Sequence, residues 1–516
     1  MQREAECPRH SPLHIAATKG GGFEVLMKKI TIEPITRLEG GAKIEIFLDR
    51  KGNVEDAFFQ VVELRGFEKF CEGRPVEELP RITPRICGVC PGAHHLASTM
   101  AVDGVFGVEP TPTARKLREL FYLAHFMHSH IAHFYLLAAP DLLLFPSADP
   151  AKRNVLGVIE AVGLDAGRKV ILARRYAQEI QRIIGGKATH PVFGLPGGVS
   201  KALDEPERKQ IEEMAGFLVE FGRFGLELFR ERVWKRRELA DLIRKDVYRH
   251  KTYYMGMVDA KNRVNYTQGQ LRVVDQDGRE AARFEPNHYL DHIAEHVLPW
   301  SYLKFPYLKQ VGWRGLEDGK QSGIYRVNSL ARLNVAEGMS TPLAQEAYEE
   351  LFRELGEKPS HATLRFHWAR LVELMNAAEN LAALAADSEI TDRDVRVVPK
   401  GIAGEGVGCI EAPRGTLFHH YWTDREGMVT RVNLLVATGQ NNAGMCLSVK
   451  KAAQRLIRKG HVGGDLLNMV EMAFRAYDPC LACATHALPG KMPLRVVIRD
   501  HRGALVREMA RSPSTD

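Results

Sequence analysis

The sequence lacks most of the patterns that assign a function directly. No apolar run comes near the ~20 residues that cross a bilayer, and no basic start followed by an apolar core marks a secretory signal. The dinucleotide pattern Gly-x-Gly-x-x-Gly, the phosphate-binding pattern Gly-x-x-x-x-Gly-Lys-Ser/Thr and a closely spaced four-cysteine iron–sulfur run are also absent. We therefore expect a cytoplasmic protein with no membrane span, and the chain offers no nucleotide or iron–sulfur site of its own.

Charge and composition are those of an ordinary globular protein. The 516 residues are 45% hydrophobic and 26% charged, which excludes collagen-like, coiled-coil and wholly disordered classes. Lys and Arg number 71 against 64 Asp and Glu, a net charge of +7. This excess is too small for a nucleic-acid surface, which needs a clustered basic stripe. The length suits about three domains or one large enzyme fold.

Helical periodicity dominates the chain. Long helices are predicted at 112–137, 155–185, 206–245, 342–356, 362–387 and 445–476. Alternating apolar residues predict a strand around 44–48 and a returning strand at 54–62. We predict a small hairpin turning at Asp277-Gly278. The segment 404–422 is Gly-rich and then extended, which is typical of the rigid loops on which sites are built. The predicted fold class is mostly α with α+β elements, a central bundle of long helices with small β pieces at both ends.

Four of the eight cysteines form two Cys-x-x-Cys pairs at opposite ends of the chain. Cys87 and Cys90 make one pair, and Cys480 and Cys483 make the other. Each pair suits one soft metal ion or a dithiol–disulfide couple. If the fold brings the pairs together, they form a four-sulfur metal site. The other four cysteines are scattered, so thiolates in a reducing compartment fit the count better than a disulfide framework.

The segments around these pairs resemble the large, catalytic subunit of nickel–iron hydrogenases. Five motifs occur in the order of that family: TRLEGG at 36–41, RGFE at 65–68, RITPRICGVCPGAHH at 81–95, EAPRG at 411–415 and YDPCLACATHALPG at 477–490. The flanks look most like the cytoplasmic bidirectional or heterodisulfide-reductase-linked, F420-non-reducing-type branch. The resemblance implies the large-subunit fold of these enzymes, together with reversible heterolytic cleavage of H₂ to protons and electrons.

The resemblance also implies a role for each paired cysteine. Cys87 and Cys480 would bind nickel terminally. Cys90 and Cys483 would bridge nickel to an iron that carries carbon monoxide and cyanide ligands. Four soft thiolates suit nickel and leave a position open for substrate. The alternative from the two pairs alone is a Cys₄ zinc site, which needs none of the flanking motifs.

Other residues match family positions that move protons or surround the metals. Glu39 matches the proton-relay carboxylate beside the terminal thiolate, and Arg414 matches an arginine above the metal pair. Pro413 would pack against the ligands of the iron. Asp478 matches the acid that orients the arginine, and His94 would donate a hydrogen bond to a bridging sulfur.

Two positions depart from the family pattern, and three residues have simpler alternatives. Gly41 stands where the family most often has His, and Ser129 stands where some members have an acid. Without the resemblance, Glu39 would be an exposed residue at a strand end, and Arg414 would form a surface ion pair with Glu411. The alternative for His94 is an ordinary histidine at the N-terminus of a helix.

A second metal and several partners follow from the same resemblance. Glu68, His486 and the carbonyl of Leu434 match a site for magnesium or iron beside the proton relay. Electrons must leave through an iron–sulfur small subunit, then through further diaphorase-like or heterodisulfide-reductase-like subunits. A nickel chaperone and a maturation endopeptidase are also implied, and nucleic acid is not. The alternatives are a hydrogen-sensing subunit with the same site and a metal-free subunit like that of complex I.

Three regions are expected along the chain. Residues 1–26 read as an N-terminal appendage, with an alternative translation start at Met27. The catalytic domain would span 27–486, and 487–516 would be an extension that an endopeptidase removes after His486. The rival interpretation of the extension is a permanent hairpin with its turn at 501–503.

Overall fold

Helical residues outnumber strand residues in the computed structural model, which describes residues 28–244, 246–486, 494–499 and 505–511. The α-helices are α1 (Phe67–Cys71), α2 (Leu79–Ile82), α3 (Pro91–Val105), α4 (Pro112–Ile131), α5 (Ala139–Leu143), α6 (Val155–Val162), α7 (Leu164–Gly185), α8 (Glu205–Phe229), α9 (Arg237–Arg244), α10 (Tyr289–His292), α11 (Ser329–Val335), α12 (Pro342–Leu355), α13 (Phe366–Ala386), α14 (Ala437–Gln440), α15 (Asn442–Leu456), α16 (Gly464–Arg475) and α17 (Leu481–Ala484). None of these helices is long and apolar enough to cross a membrane.

The strands form small, separate sheets around the helices. They are β1 (Lys28–Ile32), β2 (Ala42–Leu48), β3 (Val54–Val61), β4 (Gly194–Leu195), β5 (Gly198–Val199), β6 (Tyr253–Val258), β7 (Gln270–Val274), β8 (Glu280–Phe284), β9 (Ile293–His296), β10 (Phe305–Leu308), β11 (Tyr325–Arg326), β12 (Glu405–Ala412), β13 (Gly415–Thr423), β14 (Val429–Leu435), β15 (Leu494–Arg499) and β16 (Leu505–Arg511). The larger sheets have the orders β1-β2-β3, β11-β6-β7-β8 and β12-β13-β14.

The N-terminal sheet follows directly from its sequence alternation. Every second residue of β2 is buried, including Ile44, Ile46 and Leu48, because successive side chains of a strand point to opposite faces. Asp49 closes the turn to β3, since its Oδ1 accepts hydrogen bonds from the N–H groups of Lys51 and Asn53 at 2.8 Å. The predicted pair of strands is confirmed.

The core of the molecule is a bundle of long helices. Helix α13 packs against α4 and α8, and α7 packs against α4. The first half of α13 is buried on all sides, and its Trp368 and Arg370 are almost inaccessible to solvent. Helix α8 begins with a capping box, in which Asp204 and Glu207 each accept a hydrogen bond from the backbone N–H of the other. The predicted, mostly helical fold is confirmed.

Four predicted elements differ in detail. The helix predicted at 206–245 is two helices, α8 and α9, with a π-helical turn at Arg230–Trp234 between them. The helix predicted at 155–185 is two helices, because Gly163 has a φ of 95° between α6 and α7. The helix predicted at 445–476 is interrupted at 457–463, where Lys459 and Gly460 also have positive φ. The loop predicted at 404–422 is the hairpin β12–β13. The hairpin turning at Asp277-Gly278 is confirmed as β7–β8.

The expected end regions fall largely outside the described residues. The appendage 1–26, its alternative start at Met27 and the turn 501–503 are not described. In the extension after His486, strands β15 and β16 pair antiparallel. This pairing agrees with the hairpin interpretation and leaves removal of the extension as a prediction.

Candidate metal centre

The four paired cysteines meet in one buried cluster. Cys87 and Cys90 precede helix α3, and Cys480 and Cys483 lie at α17. The Sγ atoms are 3.1 Å apart for Cys87 and Cys480, 2.9 Å for Cys90 and Cys483, and 2.7 Å for Cys480 and Cys483. All four lie within 4.8 Å of one another. None of the described cysteines is in a disulfide bond, so the fold produces the predicted four-sulfur arrangement.

The chemistry of this donor set fits a soft metal. Burial raises the pKa of Cys480 and Cys483 well above the ordinary value, while hydrogen bonds from the neighbouring thiols lower the pKa of Cys87. Several thiolates this close repel one another in a buried site unless a cation sits among them. The positive end of the 15-residue helix α3 at Cys90 favours thiolate as well.

Glu39 reaches the cluster from the loop between β1 and β2. Its Oε2 accepts hydrogen bonds from Cys480 Sγ at 3.1 Å and from the N–H of Ala482 at 3.0 Å. Burial, followed by the charge of Cys87, raises the pKa of Glu39 above its ordinary value. A carboxylic acid with a raised pKa can both take and release a proton near neutral pH. The alternative interpretation of Glu39, as an exposed residue at the end of a strand, is therefore wrong.

Two glycines allow the loop of Glu39 to pass close to the cluster. A Cβ on Gly40 would lie 2.8 Å from Leu481 Cβ, and Gly40 has a φ of 89°. A Cβ on Gly41 would lie 3.1 Å from Glu63 Oε1. The carboxylate of Glu63 thus lies against the position where the family most often has His.

Arg414 stands over the cluster at the tip of the β12–β13 hairpin. Its Nε donates to the carbonyl of Asp478 at 2.7 Å, and its Nη2 donates to Asp478 Oδ1 at 3.0 Å. Its Nη1 donates to Ser129 Oγ at 3.2 Å. Burial lowers the pKa of Arg414, but the charges of Asp478 and Cys480 outweigh burial and raise it. The guanidinium is therefore charged.

The surface ion pair between Arg414 and Glu411 does not occur. Glu411 is fully buried and pairs with Arg332, which also binds both oxygens of Glu373. Nη1 of Arg332 donates to the carbonyl of Ala412 at 2.9 Å. This buried network holds the strand that leads into Pro413 and Arg414.

His94 lies on the other side of the cluster. Its Nε2 is 3.4 Å from Cys483 Sγ, and its Nδ1 is 3.0 Å from Nε2 of His419. The Nδ1 atom of His419 is hydrogen-bonded to the hydroxyl group of Tyr421, and this hydroxyl donates to Ser98 Oγ at 2.8 Å. Burial lowers the pKa of His94 to about 4, so the imidazole is neutral at pH 7.

The residues predicted for a second metal also lie together. His486 Nδ1 is 3.2 Å from Glu68 Oε1, and the N–H of Leu434 donates to the same oxygen at 2.9 Å. Burial opposes ionisation of Glu68, but the adjacent His486 and Lys304 lower its pKa below the ordinary value. One carboxylate, one imidazole and a backbone carbonyl are a donor set that a hydrated Mg²⁺ accepts.

Several contacts of the site escaped the sequence analysis. Thr438 accepts a hydrogen bond from the N–H of Cys480 at 3.1 Å. His419 and Arg332 belong to the networks around His94 and Pro413. None of these residues lies in one of the five motifs, and no local pattern marks them.

Comparison with known proteins identifies the family of the chain. The family described as nickel-dependent hydrogenase matches residues 65–156 and 320–486, and a HoxL-like family matches 29–64. An F420-non-reducing hydrogenase iron-sulfur subunit of Archaeoglobus profundus is 51% identical over 93% of this chain and 99% of its own. The NAD-reducing hydrogenase HoxS subunit beta of Cupriavidus necator is 40% identical over 94% of this chain and 100% of its own.

Solved structures share the fold. The crystal structure of an NAD⁺-reducing nickel–iron hydrogenase in the H₂-reduced state has 37% identity and a TM-score of 0.83, covering 89% of this chain and 99% of that one. The nickel–iron–selenium hydrogenase of Desulfomicrobium baculatum, at 24% identity and a TM-score of 0.70, covers 89% of this chain and 100% of that one and shows the fold alone. The chain belongs to the nickel-dependent hydrogenase family, as the catalytic large subunit of a nickel–iron hydrogenase.

Proposed function

We propose that Cys87 and Cys480 bind nickel terminally and that Cys90 and Cys483 bridge it to an iron with carbon monoxide and cyanide ligands. The observation that carries this assignment is the buried cluster of four Sγ atoms within 4.8 Å. The metals, when bound, supply an electron-accepting pair at which H₂ is cleaved heterolytically. The chain's own residues handle the proton and the surrounding charge.

The proton leaves through Cys480 and Glu39. The Sγ of Cys480 lies 3.1 Å from Glu39 Oε2, which is within the reach needed for direct transfer. The N–H of Ala482 holds the same oxygen at 3.0 Å. Glu39 therefore presents a fixed acceptor to the thiol and takes its proton.

Arg414 and Asp478 set the electrostatics above the metals. The two hydrogen bonds from Arg414 to Asp478 fix the plane of the guanidinium, so its positive charge is aimed before the reaction begins. Pro413 precedes it and packs toward the ligands of iron. His94 contacts the sulfur of Cys483 and supports its orientation.

A magnesium or iron ion occupies the second site in this proposal. Glu68, His486 and the carbonyl of Leu434 hold it. Its charge compensates the buried carboxylate of Glu68 and ties the last residues of the catalytic domain to the sheet β12-β13-β14.

Electron transfer requires partner subunits in the cytoplasm. Large subunits of this family pair with small subunits, and we propose an iron–sulfur small subunit here. The NAD-reducing and F420-non-reducing relatives support further electron-transfer subunits of diaphorase or heterodisulfide-reductase type. Nickel chaperones and a maturation endopeptidase complete the proposed set.

Elemental analysis and hydrogen-dependent dye reduction test this function. The complex purified with its partners is expected to contain nickel and iron and to reduce a viologen dye with H₂ at many turnovers per second. Zinc in place of nickel would overturn the metal assignment. Nickel without sustained turnover would instead identify a hydrogen sensor.

A further inference from the structure

The segment that leads into Cys480 has an unusual backbone. Asp478, which binds Arg414, has a φ of 57°. Residues other than glycine adopt this left-handed region infrequently, although aspartate does so more often than most. The contacts made by Ala476 and Tyr477, which come just before Asp478, help to fix this conformation.

Asn328 contacts this segment directly. Its Nδ2 donates to the carbonyl of Tyr477 at 2.6 Å, and its Oδ1 accepts the N–H of Ser329 at 2.7 Å. Asn328 itself has a φ of 103° and a ψ of 177°, a region that is essentially restricted to glycine. An asparagine in this conformation bears backbone strain that glycine would not bear. We therefore expect that its side-chain amide is needed for the contacts that it makes.

Arg370 completes the contact from helix α13. Its Nη2 donates to the carbonyl of Ala476 at 3.1 Å and to Asn328 Oδ1 at 3.2 Å, and its side chain is fully buried. Glu373, one turn along, is already bound through both oxygens to Arg332. Among the described residues, Nε and Nη1 of Arg370 have no hydrogen-bond acceptor.

The charge of Arg370 is compensated by the site. Burial lowers the pKa of Arg370 to about 10, and the charge of Asp478 is the largest effect that opposes burial. Asp478 also pairs with Arg414. The carboxylate of Asp478 thus faces two buried guanidinium groups and links Arg370 to the arginine above the cysteine cluster.

Residues 327–328 also contact the β12–β13 hairpin, which carries Arg414. The N–H of Val327 donates to Asn441 Oδ1 at 3.0 Å, and Asn441 Nδ2 donates to the carbonyl of Arg414 at 3.1 Å. A Cβ on Gly415 would lie 2.2 Å from Val327 Cγ2. Residues 327–328 therefore contact both the tip that carries Arg414 and the segment that carries Asp478.

We propose that Arg370 and Asn328 are positioning residues of the metal centre, which clamp the carbonyls of Ala476 and Tyr477 and so fix Asp478 and Cys480 beneath Arg414. This inference rests on the proposed function of the site. Among the described residues, neither side chain forms a hydrogen bond with the four paired cysteines. Because small displacements of reacting groups cost large factors in rate, loss of the clamp should alter turnover more than stability.

The test compares Arg370→Met and Asn328→Gly in the purified complex. Both are expected to retain nickel, to lose about 10–100-fold in kcat with KM for H₂ unchanged, and to shift the electron paramagnetic resonance spectrum of nickel. Asn328→Gly should keep the unfolding temperature, since glycine relieves the strain at this φ. Arg370→Lys keeps the positive charge and one of the two contacts, so its kcat should lie between that of Arg370→Met and that of the wild type.

Arg118→Met is the matched control. Arg118 is also buried, pairs with Asp103 and donates to the carbonyls of Leu195 and Gly198. Its loss should lower the unfolding temperature and leave the nickel spectrum unchanged. Wild-type kcat and spectrum in both clamp variants would overturn the inference, as would a nickel loss shared equally with Arg118→Met. A wild-type complex without nickel would overturn the proposed function itself.

Discussion

The eight cysteines divide into two groups with different consequences for the metal. Replacing Cys87, Cys90, Cys480 or Cys483 by Ser should abolish nickel retention, since a hydroxyl is a poor ligand at a soft site. Cys446→Ser is the control, because Cys446 is equally buried, while its Sγ forms hydrogen bonds with Phe59 and Asn442 and not with the four paired cysteines in the described part of the chain. Elemental analysis of each purified variant measures how much nickel it retains. Nickel loss in Cys446→Ser with retention in Cys87→Ser would contradict the assignment.

Glu39 is expected to matter for protons and not for metal. Glu39→Gln should retain nickel and lose both turnover and H/D exchange, because an amide cannot accept and release a proton at neutral pH. Exchange between D₂ and water, followed by mass spectrometry, measures the proton step separately from electron transfer. Glu45→Gln, which removes a carboxylate paired with Lys29 and Lys43, should leave exchange unchanged. Full exchange in the Glu39 variant would place the relay elsewhere.

Residues within motifs could be located from the sequence, while their supporting contacts could not. The cysteines, Glu39, Arg414 and Asp478 sit in short motifs whose order is visible along the chain. Thr438 lies 42 positions from the cysteine whose N–H it accepts. Arg370 looks like any arginine of a long helix until packing makes it inaccessible. Contacts of this kind depend on tertiary packing, which local patterns do not carry.

At the scale of elements, strand β12 lies directly against helix α3. A Cβ on Gly408 would lie 1.9 Å from the carbonyl oxygen of Ala97, and one on Gly406 would lie 2.1 Å from that of Ala101. The close approach sets the Arg414 hairpin relative to Cys90. It also explains why glycines occupy these two positions of the strand.

Gly408→Ala should therefore destabilise the fold. Forcing a methyl group against rigid backbone costs typically 1–3 kcal/mol, measured as the free energy of unfolding. Gly216 on helix α8 is the opposite case, because a Cβ there meets nothing within 4 Å. Gly216→Ala should stabilise the protein by about 0.5–1 kcal/mol. Equal effects of the two substitutions would contradict this account of the β12–α3 contact.

Helix α3 also carries a pH-dependent contribution to stability. His95 Nδ1 lies 2.7 Å from the carbonyl of Pro80, and its Nε2 accepts the N–H of Gly194 at 2.9 Å. These contacts require neutral imidazole, and burial lowers the pKa of His95 to about 4. Between pH 6.5 and about 4, His95 is protonated in the unfolded chain and neutral in the folded chain. The stability from this group is complete above pH 6.5 and falls as the pH decreases through that window.

His95→Gln should flatten this dependence. The slope of the unfolding free energy between pH 6.5 and 4 should decrease by up to about 1.4 kcal/mol per pH unit, although the variant is less stable at pH 7. The exposed His288, substituted in the same way, should leave the slope at the wild-type value. A slope unaltered by His95→Gln would show that another group titrates in this window.

For the whole molecule, the fate of the residues after His486 is the remaining structural prediction. We expect active enzyme to have lost 487–516, because the resemblance to the family implies an endopeptidase that cuts after this histidine once the metals are in place. Intact-mass spectrometry of active complex measures this directly. A fully active chain that still ends at Asp516 would favour the permanent hairpin of β15 and β16.

The two cysteine pairs also have a topological consequence. Cys90 and Cys483 are 393 positions apart, so metals held by both pairs tie the two ends of the catalytic domain into a closed loop. In the chain-entropy description, a cross-link around a loop of that size removes about 6 kcal/mol of disorder from the unfolded chain. The centre that cleaves hydrogen would therefore also act as a cross-link, and removal of its metals should lower the free energy of unfolding of the whole domain.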